Sequence, residues 1–347
     1  MLCSAVLSAW LALPEKICAQ DALQELQRKS DLNPEDTSRI DAWLKERVAD
    51  LERDLATDNN SARAQSAFTS EISQLQSGGS SSFRRVFAER ASALFADEIR
   101  STNGTLSHAL MAGLRALGHP AALSGYLRAL DAPDPAVRLM AVRGIRSLAS
   151  AAGTGDAIPV DQLPATLQRL GETGQRETND LVLQYIYAAF SFSQARDEQA
   201  KAVLQILEAR LERLKAGKPL AEAADAQAYA RLQELFSSLP EAEQTRLVRV
   251  LAAFLAVYCH RLVHADAAHP PDELIRLTVL NEKLLSRITS VNGGVAAALA
   301  TPEAQREQKT LEAARHWFGS ASTPGALSGG RWQVPPGGGV AGVSFDD

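Results

Sequence analysis

Apolar residues recur at intervals of three and four through most of this chain, while the strict alternation of a half-buried strand is nearly absent. That pattern predicts amphipathic helices. Asn33, followed by Pro34, Glu35 and Asp36, is a strong helix start, and Ile40, Trp43, Leu44, Val48, Leu51 and Leu55 form one apolar face behind it. A weaker helix through Ala67, Ile72 and Leu75 stops at the run GGSSS, residues 78–82, which reads as a flexible loop. Beyond it Val86, Phe87, Ala91, Leu94 and Phe95 share a face, and a short helix carrying Leu110, Leu114 and Leu117 ends at Gly118 ahead of Pro120.

The second half repeats the theme with longer helices. Leu163, Leu167 and Leu170 mark one; Leu181, Val182, Ile186, Tyr187 and Phe190 have the density of a central buried helix. A long amphipathic helix from Asp197 carries Val203, Leu204, Leu207, Leu211 and Leu214. After a helix over residues 221–236, Pro240 opens the most apolar segment of the chain, with Leu247, Leu251, Phe254, Leu255, Tyr258 and Leu262 as its core face. Arg249 inside that run argues against a membrane span. Two more helices follow, one bearing Leu274 to Ile288 and one ending at Trp317 and Phe318.

One stretch specifies a recurring unit. In DAPDPAVRLMAVRGIRSLAS, residues 131–150, Asp134 is placed to cap a helix whose first residue is Pro135, and Val137, Ala141, Ile145 and Leu148 recur at helical spacing. Just upstream, Leu123, Leu127 and Leu130 line a short helix that stops before Ala132 and Pro133, so the two make a helix hairpin. A hairpin cannot bury both its apolar faces alone and needs neighbours.

The run LRALDAPDPAVRLMAVRGIRSL resembles the HEAT repeat over about one unit, Pro120 to Ser150. The resemblance implies an all-α fold, an α-solenoid of antiparallel helix pairs of the HEAT or armadillo kind, with roughly twelve helices in the chain. It also implies a hydrogen-bond ladder between adjacent repeats, in which Arg138 meets an acidic partner, Asp131 or Asp134. These roles are structural and imply no active site.

The expected organisation has four parts: a signal peptide over residues 1–19, HEAT-like repeats over 20–195 as the resemblance implies, further helical hairpins over 196–318 that either continue the repeats or form a small bundle, and a disordered tail over 319–347. Of the last 29 residues, eight are Gly and three are Pro, with Trp332, Val334 and Phe345 as isolated apolar residues able to dock on the last repeat or on another protein. The turn-rich AAGTGD at 151–156 reads as an inter-repeat loop or a domain joint. At the N-terminus an apolar run from Leu2 to Leu13, with a cleavage site after Ala19, reads as an export signal lacking its basic segment, and places the chain in the periplasm or outside the cell. Cleavage there leaves Cys259 as the remaining cysteine, an apolar filler on its helix.

A net charge of −5 and a pI near 5.8 give no global attraction to nucleic acid. The chain lacks GxSxG, HExxH, SxxK and a Gly-rich nucleotide loop followed by Lys. In CHRLVHADAAH, His260 and His264 stand four apart with Asp266 and His269 following, a spacing at which two imidazoles can share a metal. Their positions, roughly 160° and 120° from the centre of the apolar face, put both on the solvent side. Neither a cofactor nor a native metal site is therefore expected. Acidic pairs such as Glu172 with Glu177, or Asp225 with Glu234, read as ordinary helix surface. The function these features imply is a non-enzymatic scaffold that binds a protein or peptide on a helical-repeat surface. The alternative is an all-helical extracytoplasmic enzyme or metal-binding protein whose site is assembled from distant residues.

Overall fold

The computed structural model describes residues 23–57, 61–99, 103–150, 158–216, 222–264, 272–320 and 322–346. The expected signal peptide, Asp266 and His269 lie outside the described residues. The fold is all-α, about 78% helical, with no strand among the described residues and fifteen helices packed in neighbouring pairs. The chain divides into two compact units, Met1–Val160 and Asp161–Asp347.

The first unit holds α1 (residues 23–28), α2 (Pro34–Thr57), α3 (Ser61–Gly78), α4 (Ser81–Glu98), α5 (Gly104–Leu117), α6 (Ala122–Ala129) and α7 (Pro135–Ser150). α2 begins as its sequence predicts: Asn33 Oδ1 accepts from the Asp36 N–H at 2.8 Å, and Asp36 Oδ2 accepts in return from the Asn33 N–H at 3.2 Å. The GGSSS run is tighter than a flexible loop. Ser80 caps α4 by accepting from the Phe83 N–H at 3.1 Å, and its hydroxyl donates to the Lys29 carbonyl at 2.6 Å. The core face of α4 is Phe83, Phe87, Ala91 and Phe95, while the expected core residues Val86 and Leu94 are only half-buried.

α5 ends at Gly118, whose φ of 53° supplies the left-handed C-terminal turn. Within α5, a Cβ at Gly113 would lie 2.7 Å from the Phe68 ring, so glycine lets that ring and Phe95 reach the helix backbone. From α2 to α7 each helix packs on the next and on the next but one.

The second unit holds α8 (Leu163–Arg176), α9 (Asp180–Ala189), α10 (Arg196–Lys215), α11 (Asp225–Leu235), α12 (Glu241–His264), α13 (Asp272–Thr289), α14 (Val295–Leu299) and α15 (Glu303–Phe318). α8 packs on α10 and α10 on α12; α9 packs on α11 and α11 on α13. After α13 the pattern changes, because α12 packs on α15 and on residues 336–339.

The packing bears on the organisation of the chain at two points. The break between compact units follows residues 151–157, and Ala195 lies inside the second unit. The turn at Ala195 is held by hydrogen bonds: Gln199, fully buried, donates from Nε2 to the carbonyls of Phe192 at 2.9 Å and Gln194 at 2.6 Å, and accepts from the Phe192 N–H at 3.1 Å. The tail, expected to be disordered, is packed instead. Leu327, Val334, Val340 and Phe345 are buried, because the exposed sides of α12 and α15 supply the apolar surface that a Gly-rich segment cannot make by itself.

α12 is long and apolar enough to cross a membrane by length and composition, but most of it is buried inside the second unit. All six residues of its expected core face are buried, together with Val248, Val250, Ala252, Ala253 and Ala256.

Candidate functional site

A close approach of α8 and α10 sets out a polar surface of the second unit. α8 buries Leu163, Thr166, Leu167, Leu170, Gly171 and Gly174. At Gly174 a Cβ would stand 2.5 Å from Ile206 Cδ1, and at Gly171 it would stand 3.3 Å from Ala202 Cβ, so two glycines allow α10 to lie close against α8. The polar positions of α8 and α10 then fall side by side, with Arg246 of α12 next to them.

The result is an open depression of about 600 Å³ lined by Gln168, Glu172, Gln205, Glu208, Glu212 and Arg246. Arg246 makes a two-point contact with Glu208, with Nη2 to Oε2 at 2.6 Å, and the carboxylate raises its pKa. Gln168 Nε2 donates to Glu172 at 2.9 Å. A second depression of about 490 Å³ adjoins it, with Leu211, Val250 and Ala253 beneath, Lys215 and Arg249 at the rim, and the C-terminal segment as one wall. Amides that donate and accept, carboxylates that accept and a guanidinium that donates suit the backbone of an extended polypeptide.

The residues singled out by the repeat pattern lie elsewhere, in the first unit. Asp134 caps α7, accepting from the Ala136 N–H at 2.8 Å, and its other oxygen lies 2.9 Å from Nε2 of His108 on α5. Arg138 donates from Nη1 to the carbonyls of Ala132 at 2.8 Å and Pro133 at 2.9 Å, stitching the turn that precedes its own helix. Asp131 is exposed in that turn. The structure therefore brings all three to one turn and links Asp134 to the helix two before it.

His260 and His264 have ring centroids 4.3 Å apart. His264 is exposed; His260 is half-buried, and burial, with its neighbour's charge second, pulls its pKa below the usual histidine value. Among the described residues no group of three or more His, Cys, Asp or Glu is placed to hold a metal ion. The Cys259 thiol is buried, and burial, with Glu282 second, pushes its pKa up.

Two acidic residues expected on the surface are buried. Glu177 accepts from the N–H groups of Thr178 and Asn179, both at 2.9 Å, in the turn before α9. Asp225 opens α11 with its side chain fully buried, accepting from Arg210 Nε at 2.6 Å and Nη2 at 3.0 Å. Burial is the largest single influence on Arg210 and works against its charge, but the Asp225 carboxylate together with the neighbouring Tyr187 and Tyr258 more than offsets it, and the pKa is raised. Around the pair, Tyr229 and Tyr258 hydroxyls lie 3.4 Å apart and Asn281 Nδ2 donates to Tyr229 at 3.3 Å and to the Leu251 carbonyl at 3.1 Å. Burial pushes the Tyr187 and Tyr229 hydroxyls up, so both are neutral.

These groups tie α10, α11, α12 and α13 together away from solvent. A second buried anchor is Glu282, whose carboxylate accepts from the Val295 N–H at 2.6 Å, the Ala296 N–H at 2.5 Å and Trp317 Nε1 at 2.9 Å. The sequence does carry one signal for the first anchor: Arg210 follows Val203 and Leu207 at helical spacing, on the buried side of α10.

The architecture and its surface define an all-α protein of neighbouring helix pairs with a shared polar face. No protein-family model, curated protein or solved structure matches the chain, and the HEAT resemblance has no family match behind it.

Proposed function

We propose that this chain is a non-enzymatic interaction or scaffold protein whose helix pairs form HEAT-like solenoid stacks within each unit, and that it binds a protein or peptide along the face shared by α8, α10 and α12. The observation that carries the reading is the depression lined by Gln168, Glu172, Gln205, Glu208 and Arg246, which runs across three helices that are successive in packing but not in sequence. Stacked repeats generate such surfaces, because each new pair extends the same row of outward positions. The packing of α2 to α13 within each unit on next-but-one neighbours supports the solenoid reading, and the apolar run from Leu2 to Leu13, read as an export signal, supports action outside the cytoplasm.

Gln205 and Glu172 are exposed, so Gln205→Arg with Glu172→Arg changes the face without touching the core. The mature chain, isolated from its native extracytoplasmic fraction, is expected to carry a stoichiometric protein partner identified by mass spectrometry, and the double variant to lose it. Retention of the same partner by the variant would refute the assignment of this face. A wild-type chain isolated alone would refute the scaffold reading itself.

A further inference from the structure

By the packing pattern of the second unit, the outer side of α12 should take another helix, two along in the sequence. It takes instead α15 and the C-terminal segment, residues 322–346, through the short 3-10 turn at Pro336–Gly339. This segment has the composition of a chain that cannot fold alone, and what gives it shape is the surface beneath it. Leu327, Val334 and Phe345 are 0%, 2% and 2% exposed, and Phe345 stacks on Phe318 with centroids 5.7 Å apart.

The seat is specific in backbone as well as side chain. Gly337, Gly338 and Gly339 have φ of 60°, 68° and 73°, left-handed values that glycine alone adopts at little cost. Gly338 lies on the small side chains of α12: a Cβ there would stand 2.8 Å from Ala256 Cβ and 3.0 Å from the Ala252 carbonyl oxygen. Polar groups fasten the edges. Arg249 Nε donates to the Trp332 carbonyl at 3.0 Å, Arg331 Nη2 to Gln244 Oε1 at 2.5 Å, and Arg315 Nε to the Phe345 carbonyl at 2.6 Å.

We propose that the α12–α15 face is a peptide-binding groove selective for a turn-forming, glycine-rich segment, and that the chain's own C-terminal segment is its resident ligand. Apolar anchors in pockets, backbone carbonyls met by arginines and a stretch where no side chain fits are the features of peptide recognition, here supplied in cis. The inference does not depend on an outer partner for the α8, α10 and α12 face.

The test uses the full chain with a site-specific protease sequence inserted at Ser322–Thr323, both exposed in the link between α15 and the segment. After cleavage of the folded protein, the released segment should co-elute with the helical body in gel filtration, and a labelled synthetic peptide of residues 322–346 should exchange into it. A peptide with Gly338→Val should bind on the order of a hundredfold more weakly, a left-handed β-branched residue and an overpacked contact each contributing about tenfold. Because the substitution is in the added peptide, folding of the body is not in question. Two results would overturn the proposal: the segment separates while the body keeps its helical circular dichroism and melting temperature, or cleavage unfolds the body, which would make the segment part of the core rather than a ligand. Equal binding of the Gly338→Val peptide would remove the glycine selectivity.

Discussion

Removing the carboxylate of Asp225 should be among the most damaging single changes in the second unit. Arg210 and Asp225 side chains are 1% and 0% exposed and meet through two hydrogen bonds of 2.6 and 3.0 Å. Asp225→Ala leaves a guanidinium with its main counter-charge gone and no water to replace it. Breaking a buried pair in this one-sided way costs about 3–5 kcal/mol. For a unit of this size, a melting temperature falls by about 2–4 °C per kcal/mol, so the expected drop is about 6–20 °C. Circular dichroism during urea and thermal unfolding of the full chain measures it, with the transition of each unit fitted separately. The double change Arg210→Met with Asp225→Leu should recover most of the loss, since two apolar side chains of similar bulk need no partner. A cost for Asp225→Ala below about 1 kcal/mol would refute the reasoning, because it would mean the pair behaves as an exposed one.

Glu282→Gln puts an amide where three N–H donors converge; a loss of about 1–3 kcal/mol and an altered near-ultraviolet signal from Trp317 are expected, and no change in either would remove Glu282 as an anchor. Ala141 is fully buried in α7, so Ala141→Asp should destabilise the first unit by several kcal/mol, and an unchanged melting temperature would sink its placement in a helix contact. The lowered pKa of His260 means that the folded state binds its proton less readily than the unfolded chain. Its effect is absent well above the ordinary histidine pKa of about 6.5 and appears as a loss of stability as pH falls through that value toward the lower folded one. His260→Gln should flatten this part of the curve in a pH series of urea midpoints, and an unaltered slope would assign the effect to other groups.

Much of the helical framework was legible because it rests on local rules. Asn33 and Asp36 cap α2 as their types require, Gly118 ends α5 in the left-handed region, and the expected face of α12 is buried residue for residue. What spacing could not show is coverage from a second side. Ala252, Ala253 and Ala256 look like neutral helix filler, yet their small size is what admits Gly338. The tail gave the opposite difficulty: its composition correctly denies it an independent fold, but burial of Leu327, Val334 and Phe345 depends on a surface made by residues up to about a hundred positions earlier. The shift of the α4 core from Val86 and Leu94 to Phe83 and Ala88 has the same origin, since the neighbours decide which of two overlapping stripes is covered.

Charged residues divide along a different line. The contacts that shape the turn at Asp131, Asp134 and Arg138 are mostly local: Arg138 reaches carbonyls five and six residues back, and Asp134 caps its own helix. Asp225 reads as surface because an acid on a helix is ordinarily solvated and needs no other explanation. Its real partner entered from the preceding helix. Arg210 stands in the row of Val203 and Leu207, and an arginine in such a row must either leave the core or find a carboxylate there. The close of α10 and the start of α11 lie fifteen residues apart at this pair, near enough for a hairpin to bring one opposite the other. An arginine inside an apolar stripe, followed within one hairpin by an acid at a helix start, is therefore a local pattern for a buried ion pair, and a surface reading of either residue alone misses it.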